Sequence, residues 1–285
     1  MKRKSYAKLN IALSVLNKGK PANLHDLDMV NVTVSLYDTI SIEFVKDSLN
    51  KTTIICKNED VPKDDNNLVC KVINKFKRTF NLSFSCVVKI NKKIPVQSGL
   101  AGGSSNAACV LHMLDKKFKT KMSLLQKINF IKPLTSDGPF LLVNKPCRVK
   151  GFGDVIEPIT YNLKSRILIV KPLSGCNTKD IFSSLNYKTL KRPNINKVCA
   201  ALKDNDLPLL SSRVNNSLID SAIEGNQEIM DIINRLKTCG FEIVSMSGSG
   251  STCFAISNSS FPFKKAKEIL NKHNYDIIKV CKVKN

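Results

Sequence analysis

Apolar residues recur along the chain at two spacings, and each spacing predicts a different element. Alternating or β-branched runs predict strands, whereas apolar residues three or four positions apart predict helices. The strands predicted in the first half cover residues 6–15, 28–36, 39–44, 51–57, 86–91 and 141–143, with a turn at Tyr37 and Asp38 between the second and the third. The predicted helices cover residues 68–80, the apolar segment that follows Ser104 and Ser105, and residues 123–129.

The second half continues this mixture of strands and helices. Residues 148–158 predict a hairpin. The succession of predicted elements starts anew after residues 158–164, which predicts a domain boundary there and two domains, 1–158 and 159–285. Beyond that boundary, strands are predicted at residues 166–171, 241–245, 252–257 and 275–283, and helices at residues 178–185, 195–202, 216–223, 227–239 and 262–273. Because strands and helices mix without a strict βαβ alternation, the predicted fold class is α+β.

A large positive charge changes this picture little. The 285 residues include 45 Lys and Arg against 23 Asp and Glu, for a net charge of +22. Such an excess is compatible with nucleic-acid binding. The lysines are scattered from end to end, however, and the chain has no tryptophan. We interpret the charge as solvated surface that helps to attract polyanionic substrates, and expect no nucleic-acid partner.

The remaining composition predicts a cytoplasmic protein. No apolar run is long enough to span a bilayer, and Lys8 and Asn10 interrupt the short apolar stretch near the N-terminus, so neither a membrane partner nor a signal peptide is expected. The ten cysteines form no CxxC pair and the three histidines are not spaced to complete a metal site. We therefore expect free thiols and no metal-ligand set. The chain is expected to be a monomer or a weak homodimer.

A glycine-rich stretch, residues 94–114, carries the most informative pattern. It reads IPVQSGLAGGSSNAACVLHML, in which Gly99, Gly102 and Gly103 precede a helical run that Ser104 or Ser105 is expected to cap. Such a loop alone is more often a plain connector. Here a strand precedes it and a helix follows without a break, so the amides at the helix N-terminus favour an anion site, and above all a phosphate site.

Other polar positions have two interpretations each. Lys8 and Asn10 interrupt a strand, where they either face water on an edge or are buried for a reason, since an unpaired buried ammonium is costly. Asp137 precedes an apolar segment, where it is either a turn former or an acid beside a bound ligand. The second Gly/Ser loop, residues 246–251, is either a hairpin connection or part of a site.

Three segments together resemble the GHMP kinase superfamily of small-molecule kinases. AKLNI at residues 7–11 is similar to its first motif, PVQSGLAGGSS at residues 95–105 to its phosphate-binding motif, and SGSGSTCF at residues 247–254 to its C-terminal glycine motif. The segments SDGPF, KGFGD, LSGCNTKDIF and NNSL are most similar to the members that phosphorylate a diphosphocytidyl alcohol in the non-mevalonate isoprenoid pathway. Order and spacing agree along nearly the whole chain.

The resemblance implies a fold, partners and site residues. It implies an N-terminal domain like ribosomal protein S5 domain 2, a ferredoxin-like C-terminal domain, and ATP with Mg²⁺ as phosphoryl donor to the alcohol. It implies catalytic roles for Lys8 and Asp137. The ATP-binding residues it implies are Pro95, Val96, Gln97, Ser98, Gly99, Leu100, Ala101, Gly102, Gly103, Ser104 and Ser105, and the substrate-binding residues are Asn10, His25, Gly248, Ser249 and Gly250.

The chain departs from the family pattern at a few positions. Ala22-Asn23-Leu24-His25 stands for the family's Asp-Gly-Tyr-His, so an aromatic residue is missing beside the expected cytidine site. Gln97 and Ala101 replace glycines, and Gly138 replaces a valine. Two alternatives therefore stay open: another GHMP kinase, acting on a mevalonate-type, homoserine or sugar substrate, and a basic RNA-binding protein with an S5-like fold and no chemistry.

Overall fold

The computed structural model describes residues 1–18, 25–46 and 49–284, and most predicted elements are confirmed. The strands are β1 (Lys2–Lys18), β2 (His25–Val45), β3 (Thr52–Cys56), β4 (Ser85–Asn91), β5 (Cys147–Gly151), β6 (Val155–Pro158), β7 (Arg166–Lys171), β8 (Ile243–Met246), β9 (Cys253–Ser257), β10 (Ile277–Cys281) and β11 (Val283–Lys284). The helices are α1 (Leu68–Thr79), α2 (Gly102–Phe118), α3 (Leu124–Ile131), α4 (Gly138–Val143), α5 (Thr178–Ser183), α6 (Ile195–Asp204), α7 (Leu207–Arg213), α8 (Ile219–Gly225), α9 (Glu228–Thr238) and α10 (Phe261–Leu270).

Two compact units interleave along the chain. The first unit comprises Met1–Lys8, Leu36–Val96 and Ala101–Asn144, and the second comprises Leu9–Ser35, Gln97–Leu100 and Lys145–Asn285. These units are defined by contacts and interleave along the chain, so they do not test the domain boundary after residue 158. That boundary stays a prediction.

The first unit packs helices on a small sheet. Strand β4 pairs in parallel with β3 and antiparallel with the C-terminal half of β2. Helix α1 begins where the Asn67 side chain accepts a hydrogen bond from the Val69 amide, at 2.9 Å. Helix α2 packs against α1 and α4. The apolar faces of α1, α2 and α4 and the buried strands supply the core, whose largest buried side chains include Ile40, Ile42, Ile73, Phe76, Leu111, Leu114 and Phe140.

The second unit contains an antiparallel four-stranded sheet in the order β10-β7-β9-β8. With a helical connection after β7 and another after β9, this is the strand order of a ferredoxin-like fold. Strand β7 lies inside the sheet, and its residues after Arg166 are all buried, as its unbroken apolar sequence predicts. The predicted hairpin is confirmed as β5 and β6, and β5 pairs with the N-terminal half of β2.

The predicted turn at Tyr37 and Asp38 is wrong, because β2 runs through both residues as one strand. A polar residue inside an apolar run usually marks a break. The carboxylate of Asp38 is instead buried and satisfied within the first unit, where its Oδ1 accepts hydrogen bonds from the amides of Lys93 and Ile94, at 2.7 and 2.8 Å. The strand can therefore continue without exposing a charge to apolar surroundings.

Three further predictions need correction. Residues 141–143 were expected to form a strand, but they belong to helix α4, a single short helix too brief to show a period. Helix α7 was not predicted, and it begins where the Asp206 carboxylate accepts a hydrogen bond from the Leu209 amide. The final strand divides into two, because β10 pairs with β7 and β11 pairs with β2.

Among the described residues, no helix combines the length and the apolar character needed to cross a membrane. The ten cysteines are free thiols, and most of them are buried.

Candidate active site

In the first unit, the structure brings together a lysine and an aspartate that are 129 positions apart in the sequence. The Nζ atom of Lys8 lies 3.5 Å from Oδ1 of Asp137. The Lys8 side chain is 7% exposed and that of Asp137 is 30% exposed. The strand residue Lys8 is thus buried beside a counter-charge, which answers the open question about its environment. The acid keeps an accessible side that a ligand can reach.

The position of Asp137 depends on tight packing at the start of α4. Asp137 occupies the N-cap position of this helix, but its side chain makes no capping hydrogen bond, so its oxygens are not used in holding the helix end. Gly138 follows at a place where a Cβ atom would lie 2.9 Å from methyl carbons of both Ile131 and Thr135. A larger residue here would push the start of α4, and Asp137 with it, away from α3.

Helix α2 offers the anion-binding end that the glycine-rich stretch predicts. It begins at Gly102, and its N-cap residue is Ala101, in the left-handed conformation with φ 53° and no side-chain cap. The amides of Gly102, Gly103 and Ser104 belong to the first turn, which helical geometry leaves without intrahelical acceptors. The predicted serine cap is wrong, because Ser104 and Ser105 lie inside the helix.

The two serine hydroxyls link α2 to the segments that carry Lys8 and Asp137. The Ser104 hydroxyl hydrogen-bonds Thr135 Oγ1 at 2.6 Å, two residues before Asp137. The Ser105 hydroxyl donates to the Tyr6 carbonyl at 2.6 Å, two residues before Lys8, and accepts from Ser5 Oγ. These bonds fix the helix start against both catalytic candidates within the one unit.

A buried ion pair supports the entry to the glycine-rich stretch. Lys92 Nζ lies 2.7 Å from Asp38 Oδ2, with side-chain exposures of 7% and 0%. A Cβ atom on Gly102 would lie 2.6 Å from Lys92 Nζ and 3.0 Å from Ile94 Cγ2. The glycine leaves room for this ammonium beside the first turn of α2, so positive charge lies near the open amides. Pro95 and Val96 follow, both half-buried.

In the second unit, the remaining part of the stretch meets the second Gly/Ser loop. The Ser247 hydroxyl donates to the Gly99 carbonyl at 3.1 Å, and the Thr252 amide donates to the Ser98 carbonyl at 3.3 Å. Gly99 has φ +71°, and a Cβ atom there would collide with the Ser247 carbonyl. The close approach therefore requires glycine at this position. The first and last residues of this segment, 97–100, differ in solvent exposure: Gln97 is exposed and Leu100 is fully buried.

Two buried asparagines hold the second loop. Asn216 Nδ2 donates to the carbonyls of Met246 and Gly248, at 2.8 Å each. The backbone N–H of Asn10 donates to Ser247 Oγ at 3.1 Å, and the side-chain Nδ2 of Asn10 donates to Asn31 Oδ1 at 2.5 Å. Both asparagines are about 1% exposed. The structure thus gives Asn10 a supporting contact with this loop, while its contact with substrate stays a prediction.

The predicted substrate residues of the second loop adopt a tightly constrained backbone. Gly248 and Gly250 have φ +59° and +87°, and a Cβ atom on Gly248 would lie 3.2 Å from the Gly99 carbonyl. Ser249 Oγ hydrogen-bonds Thr178 Oγ1, the first residue of α5, at 2.7 Å. The loop is therefore braced on three sides within its unit, so it is more than a hairpin connection.

His25, the first residue of β2, lies among aromatic rings of the second unit. Its imidazole stacks on Phe182, with ring centroids 4.4 Å apart, and its Nδ1 lies 2.5 Å from the Tyr187 hydroxyl. Burial lowers the pKa of His25, and the positive charge of Lys18 lowers it further. Ala22, Asn23 and Leu24, where the family's tyrosine is missing, lie outside the described residues.

Sequence reasoning missed several residues of this arrangement. Asp38 and Lys92 were not identified, and neither were Thr135, Phe182 and Tyr187. The segment LSGCNTKDIF already resembles a family motif and ends at Phe182, so the motif could have identified that ring. The other contacts join residues far apart in the sequence and leave no local pattern.

Comparisons with known proteins agree with this geometry. The model described as "GHMP kinases N terminal domain" matches residues 67–136, and the model described as "GHMP kinases C terminal" matches residues 193–276. The two matches together cover more than half of the chain. The chain therefore belongs to the GHMP kinase family, whose phosphoryl donor is ATP, and it has the two-domain fold of that family.

Within this family, the chain is similar to kinases of one particular name. The chain is 33% identical to the 4-diphosphocytidyl-2-C-methyl-D-erythritol kinase of Clostridium perfringens (strain ATCC 13124), over 100% of this chain and 99% of that protein. It is 36% identical to the kinase of the same name from Lachnoclostridium phytofermentans, over 93% and 89% of the two chains. A crystal structure of 4-(cytidine 5'-diphospho)-2C-methyl-D-erythritol kinase shares the fold, with a TM-score of 0.82, 22% identity and coverage of 100% of both chains.

Proposed function

We propose that this chain transfers the γ-phosphoryl group of ATP to the 2-hydroxyl of 4-diphosphocytidyl-2-C-methyl-D-erythritol, in the non-mevalonate supply of isoprenoid precursors. Relatives that carry the name of this kinase align with the whole chain. The observation that carries the chemistry is the 3.5 Å contact between Lys8 and Asp137 in the unit that also holds the start of α2.

In the proposed reaction, the Asp137 carboxylate accepts the proton of the substrate hydroxyl as the oxygen attacks the γ-phosphorus. Phosphoryl transfer needs positioning and charge stabilisation more than covalent chemistry by the protein. The Lys8 ammonium stabilises the negative charge of Asp137 and of the attacking oxygen. Its burial fixes this charge in place, so little reorganisation accompanies the reaction.

The phosphate groups of ATP would bind at the N-terminal end of α2. The open amides of Gly102, Gly103 and Ser104 are donors, and the helix dipole places partial positive charge at the same end. Left-handed backbone at Gln97, Gly99 and Ala101 gives the preceding loop its turns. In the second unit, residues 248–250 and His25 are the proposed contacts of the alcohol substrate.

Magnesium would enter with the nucleotide. Among the described residues, no group of three or more His, Cys, Asp or Glu side chains could hold a metal ion. Mg²⁺ is usually held by one or two protein oxygens together with substrate phosphates, and this residue set fits that manner of binding. The hydroxyl of Ser104 or Ser105 is the candidate protein ligand, and the ion would neutralise charge on the phosphates. The cytoplasmic location and the monomeric or weakly dimeric state stay predictions.

Two alternatives are less well supported. Another GHMP kinase activity would use the same Lys8 and Asp137, and would differ at the residues around His25. An RNA-binding protein would need neither the Lys8–Asp137 pair nor two braced glycine loops. It would instead show affinity for RNA that falls steeply with salt.

A coupled assay of ADP release tests the proposal. The purified chain is incubated with ATP and Mg²⁺, and either 4-diphosphocytidyl-2-C-methyl-D-erythritol, mevalonate, homoserine, galactose or no acceptor is added. We expect rapid ADP release with the diphosphocytidyl alcohol and background release with the others. Preference for another acceptor would replace the proposed substrate, and background release with every alcohol would contradict the kinase proposal.

A further inference from the structure

Tyr187 contacts His25, and the proposed function gives Tyr187 no role. The Tyr187 hydroxyl lies 2.5 Å from His25 Nδ1, although the two residues are 162 positions apart. The two ring planes are nearly parallel, with 10° between them and 6.3 Å between the ring centroids. Phe182 stacks on the same imidazole, with 4.4 Å between the ring centroids and 27° between the ring planes. The polar contact and the ring stacking together restrain the orientation of the imidazole.

Tyr187 is itself anchored by Arg192. The Arg192 side chain donates to the Tyr187 carbonyl at 3.2 Å and to the Val15 and Leu16 carbonyls of β1, at 2.9 and 3.3 Å. The connection between α5 and α6 is thus tied to β1 inside the second unit. The backbone that carries the phenol is therefore anchored next to the residue that meets His25.

The hydrogen bond determines which imidazole nitrogen carries the proton. Burial lowers the pKa of His25, and burial raises the pKa of Tyr187. Near pH 7 a neutral imidazole has one N–H donor and one acceptor nitrogen. A phenol O–H is a stronger donor than an imidazole N–H, so the chemistry favours donation from Tyr187 to Nδ1, with the imidazole proton on Nε2.

We propose that Tyr187 is a positioning residue for base recognition: it fixes His25 so that Nε2–H donates to the acceptor nitrogen N3 of the substrate's cytosine ring. This inference rests on the proposed function, which supplies the cytidine. The chemistry would also discriminate between bases, since N3 of cytosine accepts a hydrogen bond whereas N3 of uracil carries a hydrogen. A His25 donor therefore favours cytosine and opposes uracil.

The substitution Tyr187→Phe tests this role, because it retains the ring and removes only the hydroxyl. Tyr275→Phe is the matched control, since it removes another hydrogen-bonded hydroxyl of the same unit, which accepts from Arg235 at 3.1 Å. We expect Tyr187→Phe to raise KM for the diphosphocytidyl alcohol by about three- to tenfold, the usual scale of one net hydrogen bond. We expect kcat and KM for ATP to change by less than about twofold, which a general structural defect would not produce.

Binding of nucleoside diphosphates by calorimetry separates this inference from the proposed function. Wild-type protein should bind cytidine 5′-diphosphate more tightly than uridine 5′-diphosphate, and Tyr187→Phe should lose most of that preference. Equal weakening for both nucleotides, or values equal to wild type, would overturn the role of Tyr187. An inactive wild-type enzyme that still shows the preference would contradict the proposed reaction and leave the inference standing.

Nitrogen NMR of the histidine rings provides a second measurement that needs no substrate. With three histidines in the chain, the His25 signals can be assigned by His25→Gln. Wild-type protein should show a protonated Nε2 and an acceptor Nδ1 on His25, and Tyr187→Phe should show a mixture of the two tautomers. An unchanged tautomer in Tyr187→Phe would contradict the proposal.

Discussion

Lys8 Nζ and Asp137 Oδ1 lie 3.5 Å apart, with the lysine almost completely buried and the aspartate partly exposed. This asymmetry has a chemical consequence. The buried partner is fixed by the protein, whereas the exposed partner can exchange water for a substrate hydroxyl. In a structural ion pair either residue could be replaced with similar effects, but here the two residues should have different effects on catalysis.

The substitution Asp137→Asn should abolish most turnover while leaving ATP binding intact. It retains the shape of the side chain and removes the proton acceptor, a loss that typically costs about 10²- to 10⁴-fold in rate. We expect kcat to fall by that factor and the Kd for ATP to change little, measured by the coupled assay and by calorimetry. Glu43→Gln, which neutralises an exposed carboxylate of the same unit, is the control. Turnover near that of wild type would remove Asp137 from the role of base.

The substitution Lys8→Met should lower kcat through the same chemical step. Methionine retains most of the buried volume and removes the charge, and loss of one preorganised electrostatic group commonly costs about 10²- to 10³-fold. The double variant Lys8→Met with Asp137→Asn should be scarcely slower than Asp137→Asn alone, because residues that act as a unit are not additive. Multiplicative losses would instead indicate that the two residues act independently.

The sequence predicted the framework of this site better than its internal contacts. Apolar spacing placed the strand and helix on either side of the glycine-rich stretch, and the strand 166–171 agrees at both ends with β7. The residues alone left open whether Lys8 faces water, and only the family resemblance paired it with Asp137. No local rule reports a contact between residues that far apart.

The missed features have the same physical origin. In the sequence, Asp38 predicts a break in the strand. In the structure its carboxylate is buried and accepts hydrogen bonds from residues 92–94, which no local pattern indicates. Ser104 and Ser105 look like helix caps because capping is a local preference, yet their hydroxyls bond to Thr135 and Tyr6. In each case a tertiary hydrogen bond outweighs a local propensity.

The substitution Ala101→Gly should stabilise the protein. Ala101 has φ +53°, a conformation that is strained for an alanine but not for a glycine. Relief of this strain should outweigh the larger backbone entropy that a glycine has in the unfolded chain. We expect the free energy of unfolding to rise by about 1 kcal/mol in urea titrations. Ala200→Gly is the matched control, since Ala200 is exposed inside helix α6 and the same substitution there should lower stability by about 1 kcal/mol. Destabilisation by both would contradict the strain at residue 101.

The substitution Asp38→Asn should destabilise the first unit. The amide oxygen can still accept from Lys93 and Ile94, but the ammonium of Lys92 is left buried without its counter-charge. Breaking a buried pair in this way typically costs about 3–5 kcal/mol. Glu43→Gln removes the exposed Lys89–Glu43 pair, 4.0 Å long, and should cost less than about 1 kcal/mol. Equal losses in urea unfolding would show that the buried pair has no special importance.

The final prediction concerns acid stability and His112 of helix α2. Burial lowers the pKa of His112 from 6.5 to about 4, with the charges of Arg3 and Lys127 acting in the same direction. The unfolded chain therefore binds a proton on this residue at a higher pH than the folded chain does. The stability it contributes is complete above pH 6.5 and is lost as the pH falls towards 4, by up to about 3 kcal/mol.

Comparison of wild type with His112→Gln between pH 7 and pH 4.5 isolates this contribution, because other groups titrate equally in both proteins. We expect the free energy of unfolding of wild type to fall more steeply with decreasing pH than that of the variant. His273→Gln, which replaces an exposed histidine, gives the reference slope. If wild type and His112→Gln lose stability in parallel, the imidazole of His112 does not resist protonation in the folded protein.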